Sequence, residues 1–219
     1  MYFDNRAQAG QQIASILEAK YRYEDVAVLA LSAGGVSVGY EIAIRLHARL
    51  SMLLTEQIVL PAVSPSHSEV MGLIDQEGHF TRNPMMPTGL IDMMESEMRT
   101  YLDAQKMDKL HRLSRAVDAY GSLDPQQFYG YHVIIVSDGF KNGLAFEAAA
   151  NYLKPVNTGK LIAVAPNASV SAIDRLHVTA DDLAILDVLS NYLDTDHYFE
   201  DNTIPDVQVL MNDVIRNWL

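Results

Sequence analysis

The chain has 219 residues and a formal net charge of −12, from 16 Lys and Arg against 28 Asp and Glu. Hydrophobic residues make up 49% and charged residues 20%, which are the proportions of a folded chain and not of a disordered one. Cys is absent, which excludes disulfides, thiolate metal sites and cysteine nucleophiles, and fits a cytoplasmic location. The acidic balance argues against nucleic acid as a partner, and no apolar run is long enough to cross a membrane.

The first sixty residues predict two helices and two strands. An amphipathic helix is predicted over 5–21, and 26–31 is a continuous apolar run, typical of a strand covered on both faces. A glycine-containing turn, a helix over 36–49 and a strand over 52–60 follow. The apolar face of the first helix is expected to consist of Ala9, Ile13, Ile16 and Leu17.

The middle of the chain is rich in Pro, Ser and Met. Two short strands at 70–74 and 79–82 flank Asp75-Gln76-Glu77-Gly78, which predicts a hairpin. A long helix is predicted over 90–117 and a loop over 120–131. The methionines of this region are expected to pack a hood or the seam of a homodimer and not to bind a cofactor; they are Met85, Met86, Met93, Met94 and Met98.

The remaining residues alternate between strands and helices. Strands are predicted at 132–136, 161–165 and 183–188, and helices at 144–153, 170–177 and 205–218. Strands that alternate with helices form parallel sheets, because the helix makes the crossover between them. The sequence therefore predicts an α/β fold with a mainly parallel sheet flanked by helices.

Glycine-containing loops follow two of the apolar strands. LSAGG spans 31–35 and SDGFKNG spans 137–143, and each opens a predicted helix. In open α/β sheets ligands bind at the carboxyl ends of strands, and the N–H groups at the start of a helix attract anions. The two loops therefore predict a site for a small phosphorylated ligand, although glycine at such a joint also serves simply to permit a tight turn.

The second loop and its strand resemble the type I phosphoribosyltransferases. VIIVSDGFKNGLA at 133–145 aligns with the family pattern V-x-x-V-D-D-G-x-x-T-G-x-T, and LSAGGVSVGYEIA at 31–43 is similar to L-P-R-G-G-V-x-V-A-Y-E-x-A. IDQEGHFTRN at 74–83 looks like the hairpin of the family's hood, the small subdomain beside the site. The resemblance implies one phosphoribosyltransferase-like domain over 1–219, with its hood within about 61–89.

The family's donor is phosphoribosyl pyrophosphate, usually with Mg²⁺, which implies a role for each loop. Asp138 and Ser137 stand where two acids hold the ribose hydroxyls. The positions that would bind the 5-phosphate are Gly139, Phe140, Lys141, Asn142 and Gly143, and those that would meet the pyrophosphate are Ser32, Ala33, Gly34 and Gly35. Arg112 and Arg115 are the plausible counterparts of the basic residues in the family's covering loop, the mobile segment that closes over the reaction; the alternative is that they lie on a solvated helix face.

The sequence departs from the family pattern at several of these positions. Ser137 replaces the first acid, Asn142 and Ala145 replace two Thr, and Ser32-Ala33 replaces Pro-Arg. Each lost charged hydrogen bond costs about 1.5–3 kcal/mol. Two hypotheses follow. The first is a transferase of nucleotide metabolism with a degenerate site, which binds the donor or a related nucleotide or sugar phosphate but is impaired in catalysis. The second is a non-catalytic binding or partner protein on the same fold.

A serine hydrolase is the third hypothesis. Residues 35–39 read G-V-S-V-G and match the G-x-S-x-G elbow, with Ser37 as the nucleophile. Its partners would be drawn from Asp174, Asp187, Asp196, His177 and His197. The alternative is that Ser37 is a small residue packed in the first turn of a helix. The seven His, with His67 in a predicted loop, have no metal-ligand spacing, so no side-chain metal site is expected.

Overall fold

The computed structural model describes residues 1–60 and 69–217, which form two compact units. One unit comprises Met1–Leu53 and Leu123–Leu219, and the other comprises Leu54–Ser122. His67 and the last predicted helical residue, Trp218, lie outside the described residues.

The bounds of the elements follow the predicted alternation closely. The strands are β1 Val26–Ala30, β2 Arg49–Met52, β3 Thr55–Val59, β4 Val70–Asp75, β5 Phe80–Arg82, β6 His132–Val136, β7 Leu161–Ser169 and β8 Asp182–Leu189. The helices are α1 Arg6–Tyr21, α2 Ala33–Leu46, α3 Thr88–Glu97, α4 Arg99–Tyr120, α5 Leu144–Leu153, α6 Val170–Thr179 and α7 Val207–Arg216.

The larger unit is built on a five-stranded parallel sheet of order β2-β1-β6-β7-β8, which confirms the predicted fold class. Val28 and Val136 face α2, where Gly39 leaves room for them; a Cβ at Gly39 would lie 2.9 Å from Val136. Leu29 and Ile135 face the opposite side and pack in the core that α5 and α6 cover. Helices therefore cover both faces, which explains why β1 is apolar throughout and β6 is apolar from Val133 onward.

The order of the strands places a topological switch point between β1 and β6. The chain leaves β1 toward β2 on one side, and it leaves β6 toward β7 and β8 on the other. The connecting helices α2 and α5 lie on opposite faces of the sheet. Open α/β sheets bind ligands in the crevice at such a point, outside the carboxyl ends of the strands. The two predicted loops are the segments that follow these strands.

The smaller unit contains an antiparallel sheet of order β3-β4-β5 with α3 and α4, and it has a core of its own. The predicted hairpin is confirmed, since β4 and β5 pair antiparallel. The prediction of one strand over 52–60 is wrong, because β2 ends at Met52 in the parallel sheet and β3 begins at Thr55 in the antiparallel one. The helix predicted over 90–117 is two helices, because the backbone of Met98 leaves the helical region at φ −114°.

Three further expectations need correction. Ile16 is 55% exposed, because the buried stripe of α1 passes through Ile13 and Leu17 instead. α2 begins at Ala33 and not at 36, since Ser32 caps it. α7 begins at Val207 and not at 205, since Asp206 caps it. Among the described residues, no helix has both the length and the apolar character needed to cross a membrane.

Candidate functional site

The two predicted loops meet at the carboxyl ends of β1 and β6. The Leu31 N–H donates to the carbonyl of Val136 at 3.0 Å, so the two strands remain paired up to the loops. The Ser32 hydroxyl then donates to Asp138 Oδ1 at 2.9 Å. A Cβ at Gly35 would lie 2.9 Å from the carbonyl oxygen of Val136. The loops are therefore in direct contact at the switch point.

The first loop is the opening turn of α2. Ser32 Oγ accepts from the Gly35 N–H at 2.8 Å, which is the hydrogen bond of a helix N-cap. Ala33, Gly34 and Gly35 consequently occupy helical positions. A Cβ at Gly34 would overlap the carboxylate of Asp138 and lie 2.7 Å from Arg6 Nε, so this position requires glycine.

The second loop is closed by its own side chains. Ser137 Oγ donates to the Gly139 carbonyl at 2.9 Å and accepts from the Gly139 N–H at 3.2 Å. Phe140 is only 2% exposed, and its ring packs edge to face on Phe146 in the core. The serine in place of the first acid therefore shapes the turn. Phe140 offers a ligand neither its ring nor its N–H, because the N–H donates to the Asn167 carbonyl at 3.0 Å.

The end of the second loop presents backbone donors at the start of α5. Gly143 has φ +71° and caps the helix without a side chain, a conformation that favours glycine. Within the described parts of the chain, the N–H groups of Lys141, Asn142 and Gly143 have no acceptor. The Lys141 side chain is exposed beside them. The helix dipole, these N–H groups and an ammonium group together suit an anion.

Arg6, for which the sequence analysis predicted no role, joins the loops to a distant segment. Its Nε donates to Asp138 Oδ2 at 2.9 Å, its Nη2 to Asp196 Oδ1 at 2.5 Å and its Nη1 to Asn202 Oδ1 at 3.2 Å. The guanidinium lies 4.6 Å from the centre of the Phe199 ring and is 3% exposed. Burial by itself lowers the pKa of Arg6, but hydrogen bonds and charges of the two carboxylates outweigh burial and raise it.

Asp138 is therefore held from two sides. One carboxylate oxygen accepts from Ser32 and the other from Arg6, and the residue's side chain is 13% exposed. A ligand hydroxyl can reach this carboxylate through its remaining lone pairs. The arrangement fixes the orientation of the one acid that the second loop retains.

Tyr192 packs directly over the second loop. A Cβ at Gly139 would overlap the Tyr192 hydroxyl, which is 2.9 Å from Thr195 Oγ1. Burial, reinforced by the negative charge of Asp138, raises the pKa of Tyr192 to about 12. Tyr192 also contacts Tyr198, with ring centroids 5.3 Å apart. Gly139 thus allows the Tyr192 side chain to pack closely against the backbone of the second loop.

Two other sets of predicted residues lie in helices. Arg112 and Arg115 belong to the smaller unit, on the exposed face of α4, where Arg112 pairs with Asp108 at 3.1 Å. Their role as a covering loop stays a prediction. Ser37 lies inside α2 and donates weakly to the Ala33 carbonyl at 3.4 Å.

The structure gives the hydrolase hypothesis no support. Ser37 lies in a regular helix and not on a strand–helix elbow. A cavity of about 300 Å³ adjoins it, and no histidine is among the described residues that line this cavity. The alternative interpretation of Ser37, a small packed helix residue, agrees with its burial.

The side chains of the site can bind Mg²⁺ only together with a ligand whose phosphates supply the other oxygen atoms. Mg²⁺ is usually bound by one or two carboxylates together with substrate phosphates and water. The second loop supplies one carboxylate, Asp138, which is already paired. Within 1–60 and 69–217, no three His, Asp or Glu side chains form a metal-binding group.

Comparison with known proteins points in the same direction as the loops. No protein-family model matches the chain. Two curated proteins of Mycobacterium tuberculosis, from strains CDC 1551 and H37Rv, are similar to it, and each is named "Putative phosphoribosyl transferase". Each is 28% identical over 190 residues, covering 84% of this chain and 40% of the relative. The chain thus spans about two fifths of the length of these relatives.

Two solved structures are similar along nearly the whole chain. TT1426 from Thermus thermophilus has a TM-score of 0.73 and 25% identity, covering 97% of this chain and 99% of that one. A hypothetical protein from Neisseria gonorrhoeae with bound ppGpp has a TM-score of 0.50 and 8% identity, covering 100% and 93%. The second similarity concerns the fold alone.

Proposed function

We propose that this chain binds phosphoribosyl pyrophosphate with Mg²⁺, or a related sugar phosphate or nucleotide, where its two loops meet. The observation that carries the proposal is the contact of two helix-opening loops at the switch point between β1 and β6. A second observation supports it: within the described ranges of the chain, the backbone N–H groups of 141–143 have no hydrogen-bond acceptor. The similarity to proteins named phosphoribosyl transferases favours this donor over other phosphorylated ligands.

Each loop has a distinct role in the proposal. The 5-phosphate lies at 139–143 and is bound by the backbone N–H groups of 141–143 and by the Lys141 ammonium. The pyrophosphate, with Mg²⁺ as part of the substrate, lies at the opening turn of α2 over 32–35. Asp138 accepts a ribose hydroxyl. The antiparallel sheet of the smaller unit serves as the hood of one functional domain.

Catalysis is impaired in this proposal, because two charged groups of the family pattern are missing. Ser137 uses its hydroxyl within the turn, so it does not replace the first acid. Ala33 offers no side-chain donor to a pyrophosphate. Ligand binding without turnover is therefore the second candidate function, and the ppGpp bound by the structurally similar N. gonorrhoeae protein adds that nucleotide to the ligands worth testing.

Calorimetric titration tests both candidates. Phosphoribosyl pyrophosphate with Mg²⁺, ribose 5-phosphate, AMP and ppGpp are titrated separately into the protein. We expect one of them to bind with a Kd near 1 μM, which corresponds to about −8 kcal/mol. Release of pyrophosphate in the presence of candidate acceptors then separates an enzyme from a binding protein.

A pair of lysine variants locates the site. Lys141→Ala removes the ammonium group at the start of α5, and Lys154→Ala removes the exposed one at the other end of the same helix. We expect the first to weaken binding about tenfold, because a charged hydrogen bond contributes about 1.5–3 kcal/mol, and the second to leave it unchanged. No binding of any of the four ligands, or equal effects of both variants, would contradict the proposal.

A further inference from the structure

We propose that Arg6 is a positioning residue of the proposed site, whose charge neutralises Asp138 and Asp196 so that a phosphorylated ligand can approach the two loops. This inference rests on the proposed function. It assigns a role in the site to a residue of α1, which precedes both loops in the chain.

Arg6 contacts both loops at once. Its Nε is 2.9 Å from Asp138 in the second loop, and it would lie 2.7 Å from a Cβ at Gly34 in the first. The first loop itself has Ala33 where the family pattern has an arginine. A guanidinium is therefore present at the first loop, but it comes from the start of α1.

The charges around Arg6 show what it does for an anion. Asp138 and Asp196 together carry two negative charges, and Arg6 donates to both of them. Without Arg6 a ligand with two or more negative charges would meet two uncompensated carboxylates. Because Arg6 is 3% exposed and lies over the Phe199 ring, water and salt screen its charge little. Its charge is therefore effective at the loops.

The alternative is that Arg6 only ties together the segments it bonds. Charge and structure can be separated, because a lysine keeps the charge but lacks the planar fork that reaches three acceptors. Asn at position 138 removes one negative charge and keeps a side chain of the same shape. Because the two residues are in contact, their losses do not add under either role. A purely structural role predicts that Asp138→Asn also weakens binding and that the double variant is no better than Arg6→Gln. A charge role predicts that removal of the carboxylate strengthens binding and offsets removal of the guanidinium.

The experiment measures the affinity for inorganic pyrophosphate, which has no ribose and so does not depend on the ribose contact of Asp138. The variants are Arg6→Gln, Arg6→Lys, Asp138→Asn and the double variant of Arg6→Gln with Asp138→Asn. Arg45→Gln is the matched control, because it removes an arginine that pairs with Glu18 at 2.6 Å on the surface of the same unit. Circular dichroism checks that each variant is folded.

We expect Arg6→Gln to weaken pyrophosphate binding by about tenfold or more, and Arg6→Lys by no more than about threefold. The double variant should recover most of the loss, Asp138→Asn alone should bind more tightly than wild type, and Arg45→Gln should not change the affinity. If Arg6→Gln does not fold, the affinities of Arg6→Lys and Asp138→Asn for pyrophosphate still test the inference.

Two results would overturn the inference while the proposed function stands. Both apply when the wild type binds pyrophosphate. One is a double variant that binds pyrophosphate as weakly as Arg6→Gln does, and the other is an Asp138→Asn variant that binds it no more tightly than the wild type. A wild type that binds neither pyrophosphate nor any of the four larger ligands overturns the proposed function and this inference together.

Discussion

Substitution of Gly34 by alanine sets two physical effects against each other. Gly34 lies in the first turn of α2, where alanine is intrinsically the better helix former by up to about 1 kcal/mol. The added Cβ, however, would overlap the Asp138 carboxylate and crowd Arg6 Nε at 2.7 Å. The Arg6–Asp138 hydrogen bond must break or lengthen to make room.

The magnitude follows from that one contact. A hydrogen bond between charged groups contributes about 1.5–3 kcal/mol, which exceeds the gain in helix propensity. Gly89 provides the control, because it lies in the first turn of α3 and a Cβ added there would have no neighbouring atom within 4 Å. Gly34→Ala should therefore lower the free energy of unfolding, Gly89→Ala should raise it slightly, and the two should differ by about 1.5–3 kcal/mol.

Urea unfolding followed by circular dichroism measures both variants. The Asp138→Ala background adds a second check, since removal of the carboxylate removes the main overlap and should shrink the effect of Gly34→Ala. A Gly34→Ala protein as stable as Gly89→Ala would refute the reasoning, because it would mean that Arg6 and Asp138 do not occupy the space beside Gly34.

Three other outcomes are expected from the same geometry. Gly139→Ala should destabilise the protein by about 1–3 kcal/mol in urea unfolding through overlap with the Tyr192 hydroxyl, and Tyr192→Phe should reduce that loss; an unchanged loss would count against the contact. Ser32→Ala should cost about 2–4 kcal/mol in the same assay, since it removes both a helix cap and a hydrogen bond to the acid of the second loop. The hydrogen bond to Asp213, together with burial, raises the pKa of Tyr40 from 10 to about 12. The stabilisation of the fold by the protonated Tyr40 is therefore complete below pH 10 and is lost as pH rises to about 12. Tyr40→Phe should flatten this part of the curve of unfolding free energy against pH.

The parallel sheet could be predicted because its central strands are buried on both faces. β1 and residues 133–136 of β6 are unbroken apolar runs in the sequence, and each run is followed by glycine and a helix-like apolar pattern. The sequence could not show that 52–60 divides between two sheets. Leu53 and Leu54 continue the apolar run across the division, although they belong to different compact units.

The position of the site was predictable, whereas its internal bonding was not. Glycines after strands mark loops at the carboxyl edge, and a parallel sheet brings that edge together. The partners of Asp138 depend on Arg6, which is 132 residues away in the sequence. One local signal did exist: Arg6 continues the buried stripe of α1 through Ala9, Gly10 and Ile13, where a lone charged residue needs a partner.

The hydrogen bonds of Arg6 also bear on the order of events during synthesis. Its partners Asp138, Asp196 and Asn202 follow it by 132, 190 and 196 residues. At about 5–20 residues per second, a ribosome needs roughly 10–40 s to reach the last of them. Through that interval the guanidinium that later lies buried is not yet fully paired, and the hydrogen bonds that join the start of α1 to the segment at 196–202 cannot all form. α1 is synthesised before both loops, and the charge that it buries is fully paired only after Asn202 has been made.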